Sequence, residues 1–508
     1  MREILFVESL PCEPHIDALP PEILSNIFLF VEIRNIKNLP SQCQFYPDDS
    51  DRPHSTGSHL GSVCRKWRNV SLATPVLWSS IHIEIEARTY HENSLVQAEK
   101  HLERAKSHPL SITIAFIGVE YDDAFGFILK LRELPYGPDR SDPFYEDISI
   151  ALGFIDMIRD NGHRIRELSL HAEGDTNPYA AEFLFYLQPH LTNLTHFSMS
   201  LLNEDYPYDC IEVLSKQTLL HSLHIDVFHM GEQRPREERF PYSQITHIIL
   251  GDDKLCNLAE TLAKCAALES AEITLWNEFD EMRIPSGVSS LSLNHLRSLE
   301  ILFETLGYFE RLVDFLDVLV LPSLTSLSFR MSYPDTWSQD DDDSFRETFS
   351  IFTPGFISFV GRCPNIDTFH LEYFPLEDRD LISILHKIPN LVALDVANAV
   401  TKAPLEAKRV VTNRFLRELG GGELVPKLKD LRVELPEYRI DSGVFEEMLS
   451  LRRDASRKQR LRSAYLEFKH STLPDFDLDC LKDLQRQGLA VRVMQSKGVE
   501  ILGYGIES

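Results

Sequence analysis

An apolar triad spaced apolar-x-x-apolar-x-apolar returns along most of this 508-residue chain. It stands at Ile165/Leu168/Leu170, Leu194/Phe197/Met199, Leu220/Leu223/Ile225, Ile245/Ile248/Leu250, Leu268/Ala271/Ile273 and Leu296/Leu299/Ile301. It continues at Leu324/Leu327/Phe329, Ile366/Phe369/Leu371, Leu391/Leu394/Val396 and Leu428/Leu431/Val433, with a weaker copy at Leu466/Phe468. The first seven starting positions advance by 29, 26, 25, 23, 28 and 28 residues. The last two positions of each triad alternate with period two, which predicts a short strand. Segments between them, at Tyr179 to Leu187, Leu255 to Ala266, Phe309 to Leu319 and Leu381 to Ile388, carry helical apolar spacing. No such strand-helix unit can bury its own apolar side chains, so neighbours have to stack.

A step of this size matches the leucine-rich repeat, in which parallel strands line the inside of a solenoid and helices or loops form the outside. The expected fold class is therefore α/β, with an irregular solenoid over 81–508 that includes a C-terminal cap. A globular α/β sheet uses the same alternation of elements, but the regular step favours the solenoid. Pro322, Cys363-Pro364, Pro389 and Pro426 precede strands, where a helix must stop. Two intervals stretch the rhythm. From Leu324 to Ile366 the step is 42, and the excess holds the acid run from Gln339 to Asp343, read as a solvated loop. From Leu391 to Leu428 it is 37, with Gly420-Gly421-Gly422 inside, which lack the Lys-Ser/Thr of a phosphate loop and read as a turn. A helix near 478–487 and a strand near 489–493 should cap the array.

Ahead of the triads the chain reads differently. Residues 1–15 look like a flexible leader. Leu19-Pro20-Pro21-Glu22 is a helix entry, since proline presets φ and lacks only a donor that the first turn leaves unpaired. Leu24, Ile27, Phe28 and Val31 follow at the spacing of one helical face, and Val63, Cys64, Trp67 and Val70 repeat that period with Arg65, Lys66 and Arg68 opposite. Two packed helices are expected over 16–80, separated by a polar insertion at about 32–58. Ser80 to Ile85 and Leu110 to Ile114 alternate as strands around a helix from about Glu92 to Lys106.

The stretch Leu19, Pro20, Glu22, Ile23, Leu24, Ile27, Phe28 followed by Val63, Cys64, Trp67, Leu77 and Trp78 resembles the F-box, the helical module that docks on the SKP adaptor of cullin-RING ubiquitin ligases. The long link between the halves departs from the family's usual spacing. The resemblance implies an adaptor-binding surface built from Leu19, Pro20, Ile23, Leu24, Ile27, Phe28, Val63, Trp67, Leu77 and Trp78, with Leu24 and Trp67 the residues most expected to be internal. It further implies a substrate-recognition subunit of an SCF-type ligase in the ubiquitin conjugation pathway. A plain repeat scaffold with no ubiquitin role, its first helices forming only a cap, is the other reading.

The formal charge of −27 argues against nucleic-acid and anionic-membrane partners, which need positive potential at the protein surface. Eight scattered cysteines without a C-x-x-C pair point to a reducing compartment, cytoplasmic and/or nuclear. Signatures of nucleotide loops, nucleophile elbows and zinc proteases are missing, as is the ligand spacing of a RING. His221 and His224 lie across one strand and should face opposite ways. No enzymatic activity, cofactor or metal is expected.

The residue between the two inward positions of each triad should face out of the sheet. Those residues are Ser169, Ser198, His224, Ile249, Glu272, Glu300, Ser328, His370, Asp395, Arg432 and Glu467. With Asp226, Glu372 and Glu434 from the next outward positions the face leans acidic, so Asp226, Glu272, Glu300, Glu372, Asp395 and Glu434 are candidate contacts for a target protein carrying a basic segment. The bland alternative is that an acidic chain spreads its charge evenly.

Overall fold

The structure is a computed structural model. It describes residues 16, 19–37, 56–86, 92–117, 145–172, 184, 187–201, 214–227, 240–252, 255–275, 290–303, 309–331, 342–374, 376–397, 410–435, 440–454, 460–468, 476–495 and 499–502. The expected leader and the middle of the expected insertion lie outside these residues. The chain divides into two compact units, Met1–Leu220 with Arg234–Phe240, and His221–Gln233 with Pro241–Ser508.

The first unit opens with helix α1 (Pro21–Lys37), which starts at the predicted proline and runs into the segment expected to be loop. Leu24 and Phe28 are fully buried on it. The second half is not one helix but two, α2 (Thr56–Val63) and α3 (Arg65–Ala73), broken at Cys64. Cys64 adopts an extended backbone and its sulfur accepts the Trp67 N–H, so it caps α3. Phe28 and Trp67 meet at 4.9 Å between ring centroids. Ser25 and Thr74 share a hydrogen bond of 3.0 Å, closing α1 on the end of α3. Lys66, expected to be solvated, is half-buried and donates to the Leu19 carbonyl at 2.7 Å.

The sheet follows without a linker. Strands β1 (Ser80–Glu86), β2 (Leu110–Ile117), β3 (Ile165–Ala172) and β4 (His196–Leu201) pair in parallel and in sequence order. Helices α4 (Glu92–Ala105) and α5 (Tyr145–Asn161) carry the chain between them. Ile81, Ile112, Leu168 and Phe197 form one inward row, and Ile83, Ile114, Leu170 and Met199 the next.

In the second unit the same plan is repeated. Strands β5 (Ser222–Val227), β6 (His247–Asp252), β7 (Ser270–Leu275), β9 (Ser298–Phe303), β11 (Ser326–Met331), β12 (Thr368–Glu372), β13 (Ala393–Ala397), β14 (Asp430–Leu435), β15 (Ser463–Phe468) and β16 (Ala490–Gln495) pair in parallel, in that order. β17 (Val499–Leu502) closes the end antiparallel to β16, an element the periodicity did not reveal. β8 (Leu291–Ser292) and β10 (Leu319–Val320) pair separately. Successive strands lying side by side, most of them in this unit joined through a helix, make an α/β solenoid of leucine-rich-repeat type. The helices are α6 (Leu255–Lys264), α7 (Phe309–Val318), α8 (Asp342–Gly361), α9 (Asp378–Lys387), α10 (Asn413–Gly420), α11 (Ser442–Asp454) and α12 (Leu478–Arg486).

The residues that start the triads, Ile245, Leu296, Leu324, Ile366, Leu391 and Leu428, are 0% exposed. Phe356 of α8 packs on Phe329 of β11 with ring centroids 4.6 Å apart, so the helices cover the inward face. Within the acid run, Asp342 and Asp343 are not loop but begin α8. The weak copy is also corrected by register. Leu431 pairs with Ala464 and Val433 with Leu466, so the triad is Leu461/Ala464/Leu466 and the residue opposite Arg432 is Tyr465. Alanine at the middle position hid it. A polar ladder also ties neighbouring repeats: Asn193, Asn365 and Asn390 each precede a triad and donate to the carbonyls of His163, Pro322 and Pro364.

Arg452 of α11 is 1% exposed. Its guanidinium donates to the carbonyls of Leu419 (2.6 Å), Val425 (3.3 Å) and Leu424. These close the turn after α10, where Gly422 has φ of 82° and Val425 an uncommon left-handed φ of 44°. The expected glycine turn is thus present, and it is pinned by a buried cation from the next repeat.

Candidate functional site

Helix α1 has two apolar faces. One is the internal face of Leu24 and Phe28. The other carries Ile23, Ile27 and Phe30 at i, i+4 and i+7, with Ile23 45% and Phe30 58% exposed and Ile27 half-buried. Val31 (36%), Ile16 (45%) and, at the end of α2, Val63 (60%) are exposed as well. Several large exposed side chains on one short helical module are a marker of an interaction site, whereas the same residues scattered singly would not be.

The ten residues expected at an adaptor surface therefore divide. Leu19 is half-buried and Pro20, Ile23 and Val63 are exposed, while Ile27 and Trp67 are half-buried. Leu24, Phe28, Leu77 and Trp78 are core, at 0–3% exposure. Trp78 joins the module to the first repeat. Its indole N–H donates to the Ser71 carbonyl at 2.8 Å, the Arg104 guanidinium lies 4.3 Å over its ring, and His101 of α4 meets it edge-on at 5.2 Å. Burial and the Arg104 charge lower the His101 pKa. Gly57 of α2 is pressed against the same tryptophan, for a Cβ there would lie 3.0 Å from both the Leu77 carbonyl oxygen and Trp78 Cε2. Phe30 and Val31, which lie outside the family-like motif, were missed as surface residues because helical spacing cannot say which of two apolar faces is covered.

The second candidate is the outward face of the second unit's sheet. Register aligns Glu272, Glu300, Ser328, His370, Asp395, Arg432 and Tyr465 in one row. Of the predicted carboxylates, Glu300, Glu372 and Asp395 are matched by internal cations. Arg330 donates to Glu300 at 2.9 Å and to Glu372 at 2.6 Å. His370 Nε2 lies 3.7 Å from Glu372 and 4.0 Å from Asp395. Arg432 sits 3.9 Å from Asp395 and 3.6 Å from Glu467, and its guanidinium is 4.9 Å over the Tyr465 ring. Glu434, expected to face a target, is only 8% exposed and accepts a 2.7 Å hydrogen bond from the Tyr373 hydroxyl. Asp226 lies in β5, but its side chain is outside the described residues.

The electrostatics follow from this packing. Burial works against the Arg330 charge, yet the hydrogen bonds and charges of Glu300 and Glu372 outweigh it and raise its pKa. Burial raises the Asp395 carboxyl, opposed by His370 and Arg432 and reinforced by Glu372 and Glu434. Burial also pushes His224, on the same face, down to about 4. Such a face is polar and internally paired more than a bare acidic field.

Among the described residues no helix is long and apolar enough to cross a membrane. No known protein-family model matches the chain, and no curated protein matches it. Solved structures similar to it include the following three. A Bacteroides fragilis protein is 14% identical, with 67% of this chain and 68% of that one covered and a TM-score of 0.29. The leucine-rich repeat-containing protein LegL7 from Legionella pneumophila is 11% identical over 83% and 92%, with a TM-score of 0.29. A chain of the Toll–Spatzle complex from Drosophila is 12% identical over 82% of this chain and 50% of that one, with a TM-score of 0.33. At these scores the likeness carries no functional argument, and the leucine-rich-repeat-like architecture rests on the chain's own ladder of strands.

Proposed function

We propose that this chain is a non-catalytic substrate receptor of an SCF-type ubiquitin ligase, docking on an SKP-type adaptor through α1–α3 and holding a target protein on the repeats. The observation that carries the reading is the exposed face Ile23, Ile27 and Phe30 on a helix whose other apolar face is already filled by Leu24 and Phe28. A cap for the repeats needs the inner face only. Receptor action requires no chemistry of its own, because tethering a target raises the effective concentration of its lysines at a catalytic centre in another subunit. The target would contact the row from Glu272 to Arg432, apart from the buried Ser328.

A repeat scaffold with no ubiquitin role is the second reading, favoured by the way Trp78 packs the module against the first repeat as a cap would. Co-expression of the full chain with an SKP-type adaptor separates the two. Under the receptor reading they co-purify, and Ile23→Asp with Val63→Asp abolishes the complex while the circular dichroism spectrum is unchanged. Failure of the unaltered, folded chain to bring down the adaptor leaves the scaffold.

A further inference from the structure

On the outward face of the second unit's sheet the charges are not all held alike. Arg330 is bound tightly, at 2.9 Å to Glu300 and 2.6 Å to Glu372. Two strands further on the geometry loosens. Asp395 lies 4.0 Å from His370 and 3.9 Å from Arg432, and Arg432 lies 3.6 Å from Glu467, all beyond hydrogen-bond length. The Arg432 side chain is 50% exposed and rests 4.9 Å over the Tyr465 ring, held by stacking more than by its carboxylates. Burial raises the Asp395 carboxyl, so the cations beside it do not fully offset its lost hydration.

We infer that this face, centred on β13–β15, docks an extended cationic segment of another protein, with one arginine or lysine entering between Asp395 and Glu467 where Arg432 now stands in for it. Charge complementarity chooses the occupant. From β9 to β15 of the main sheet Glu300, Glu372, Asp395, Glu434 and Glu467 stand against Arg330, Arg432 and His370, so a negative surplus survives the internal pairing. A second copy of this chain is the poorer occupant, because a two-fold interface brings the same surplus to itself. Tyr465 offers a ring face beside two carboxylates, which suits a cationic side chain desolvated at the centre of an interface. Strand spacing sets the segment's rhythm. β13 and β15 are two spacings apart, about 10 Å, which an extended chain crosses in about three residues. The inference rests on the part of the reading above that puts a target on the repeats, and it holds whether or not the helical module docks an adaptor.

Fluorescence anisotropy of the full chain with a labelled peptide of three Arg-Gly-Ser units tests it, at ~50 and ~200 mM salt so that screening is visible. Saturable binding is expected. Asp395→Asn with Glu467→Gln is expected to weaken it about tenfold. Asp156→Asn with Asp160→Asn, the same change of charge at exposed positions on α5, should leave it unchanged. Arg432→Met removes the internal competitor and is expected to tighten binding about tenfold, a gain that misfolding cannot produce. No saturable binding overturns the inference and leaves the adaptor test of the helical module untouched. Equal losses from the two carboxylate pairs overturn it, since binding would then follow the overall charge of −27. Weaker binding by Arg432→Met overturns it as well. Preference for a Glu-Gly-Ser counterpart peptide overturns it in favour of an acidic partner. Self-association in light scattering that Arg432→Met abolishes overturns it in favour of a second copy.

Discussion

Replacing Arg452 by methionine is the sharpest test of how the C-terminal repeats are held. Methionine preserves much of the aliphatic bulk and removes every donor. In the native protein three buried carbonyls, those of Leu419, Leu424 and Val425, accept from this one guanidinium. A hydrogen bond from a charged donor contributes about 1.5–3 kcal/mol, and an orphaned buried carbonyl costs about 1–3 kcal/mol. Against this stands the cost of burying the charge, seen in a guanidinium whose pKa burial lowers from 12.5 to about 10. At about 1.4 kcal/mol per unit that penalty is roughly 3 kcal/mol. The balance is a net loss of about 2–5 kcal/mol, concentrated in the turn after α10 and in α10 and α11 themselves. Hydrogen exchange read by mass spectrometry is the assay, because a two-unit repeat protein need not unfold in one step and local opening is reported segment by segment. Protection of peptides from 413–454 should fall by about 30-fold or more, while β1–β4 stay unchanged. Unaltered protection in 413–454 would refute the assignment of Arg452 as the clamp.

Gly57→Ala should lower the melting midpoint, since the new methyl must displace Trp78 or the Leu77 backbone, at a cost of about 1–3 kcal/mol. Calorimetry of the full chain and the red shift of tryptophan fluorescence check it. The Cys265 and Cys363 thiols, pushed up by burial to about 12 and about 11, should stay unalkylated by iodoacetamide at neutral pH until the second unit unfolds, as read by peptide mass spectrometry. Because burial raises the Asp395 carboxyl above its unfolded value, its contribution to stability is present at low pH and lost as pH rises through the folded value. Melting curves of the wild type and Asp395→Asn between pH ~4 and ~7 should therefore show the wild type losing ground as pH increases; parallel curves would contradict this. Arg330→Met should destabilise the second unit by about 1–2 kcal/mol, with part of the loss recovered on adding Glu300→Gln and Glu372→Gln, as a chemical-denaturation cycle would show.

The sequence by itself determined the repeat. The triad from Ile165 to Val433 sets which side chains face the helices, because a strand turns alternate residues inward and no unit can bury them alone. The helix entry at Pro21 and the strands at Ser80 and Leu110 were legible for the same local reasons. Three things needed the tertiary structure. Register showed that Ala464 occupies an inward position and Tyr465 the outward one beside Arg432, because pairing, and not hydrophobicity, fixes the alignment when the inward residue is small. Ion pairing across strands showed that the outward carboxylates have Arg330 and Arg432 for company, since residues about 30 and 40 positions apart become neighbours only when the repeats stack. And packing alone separated the motif-like residues into a core of Leu24, Phe28, Leu77 and Trp78 and an exposed face of Ile23, Phe30 and Val63. Periodicity reports that a face is apolar, and what covers it is decided by the neighbours the fold supplies.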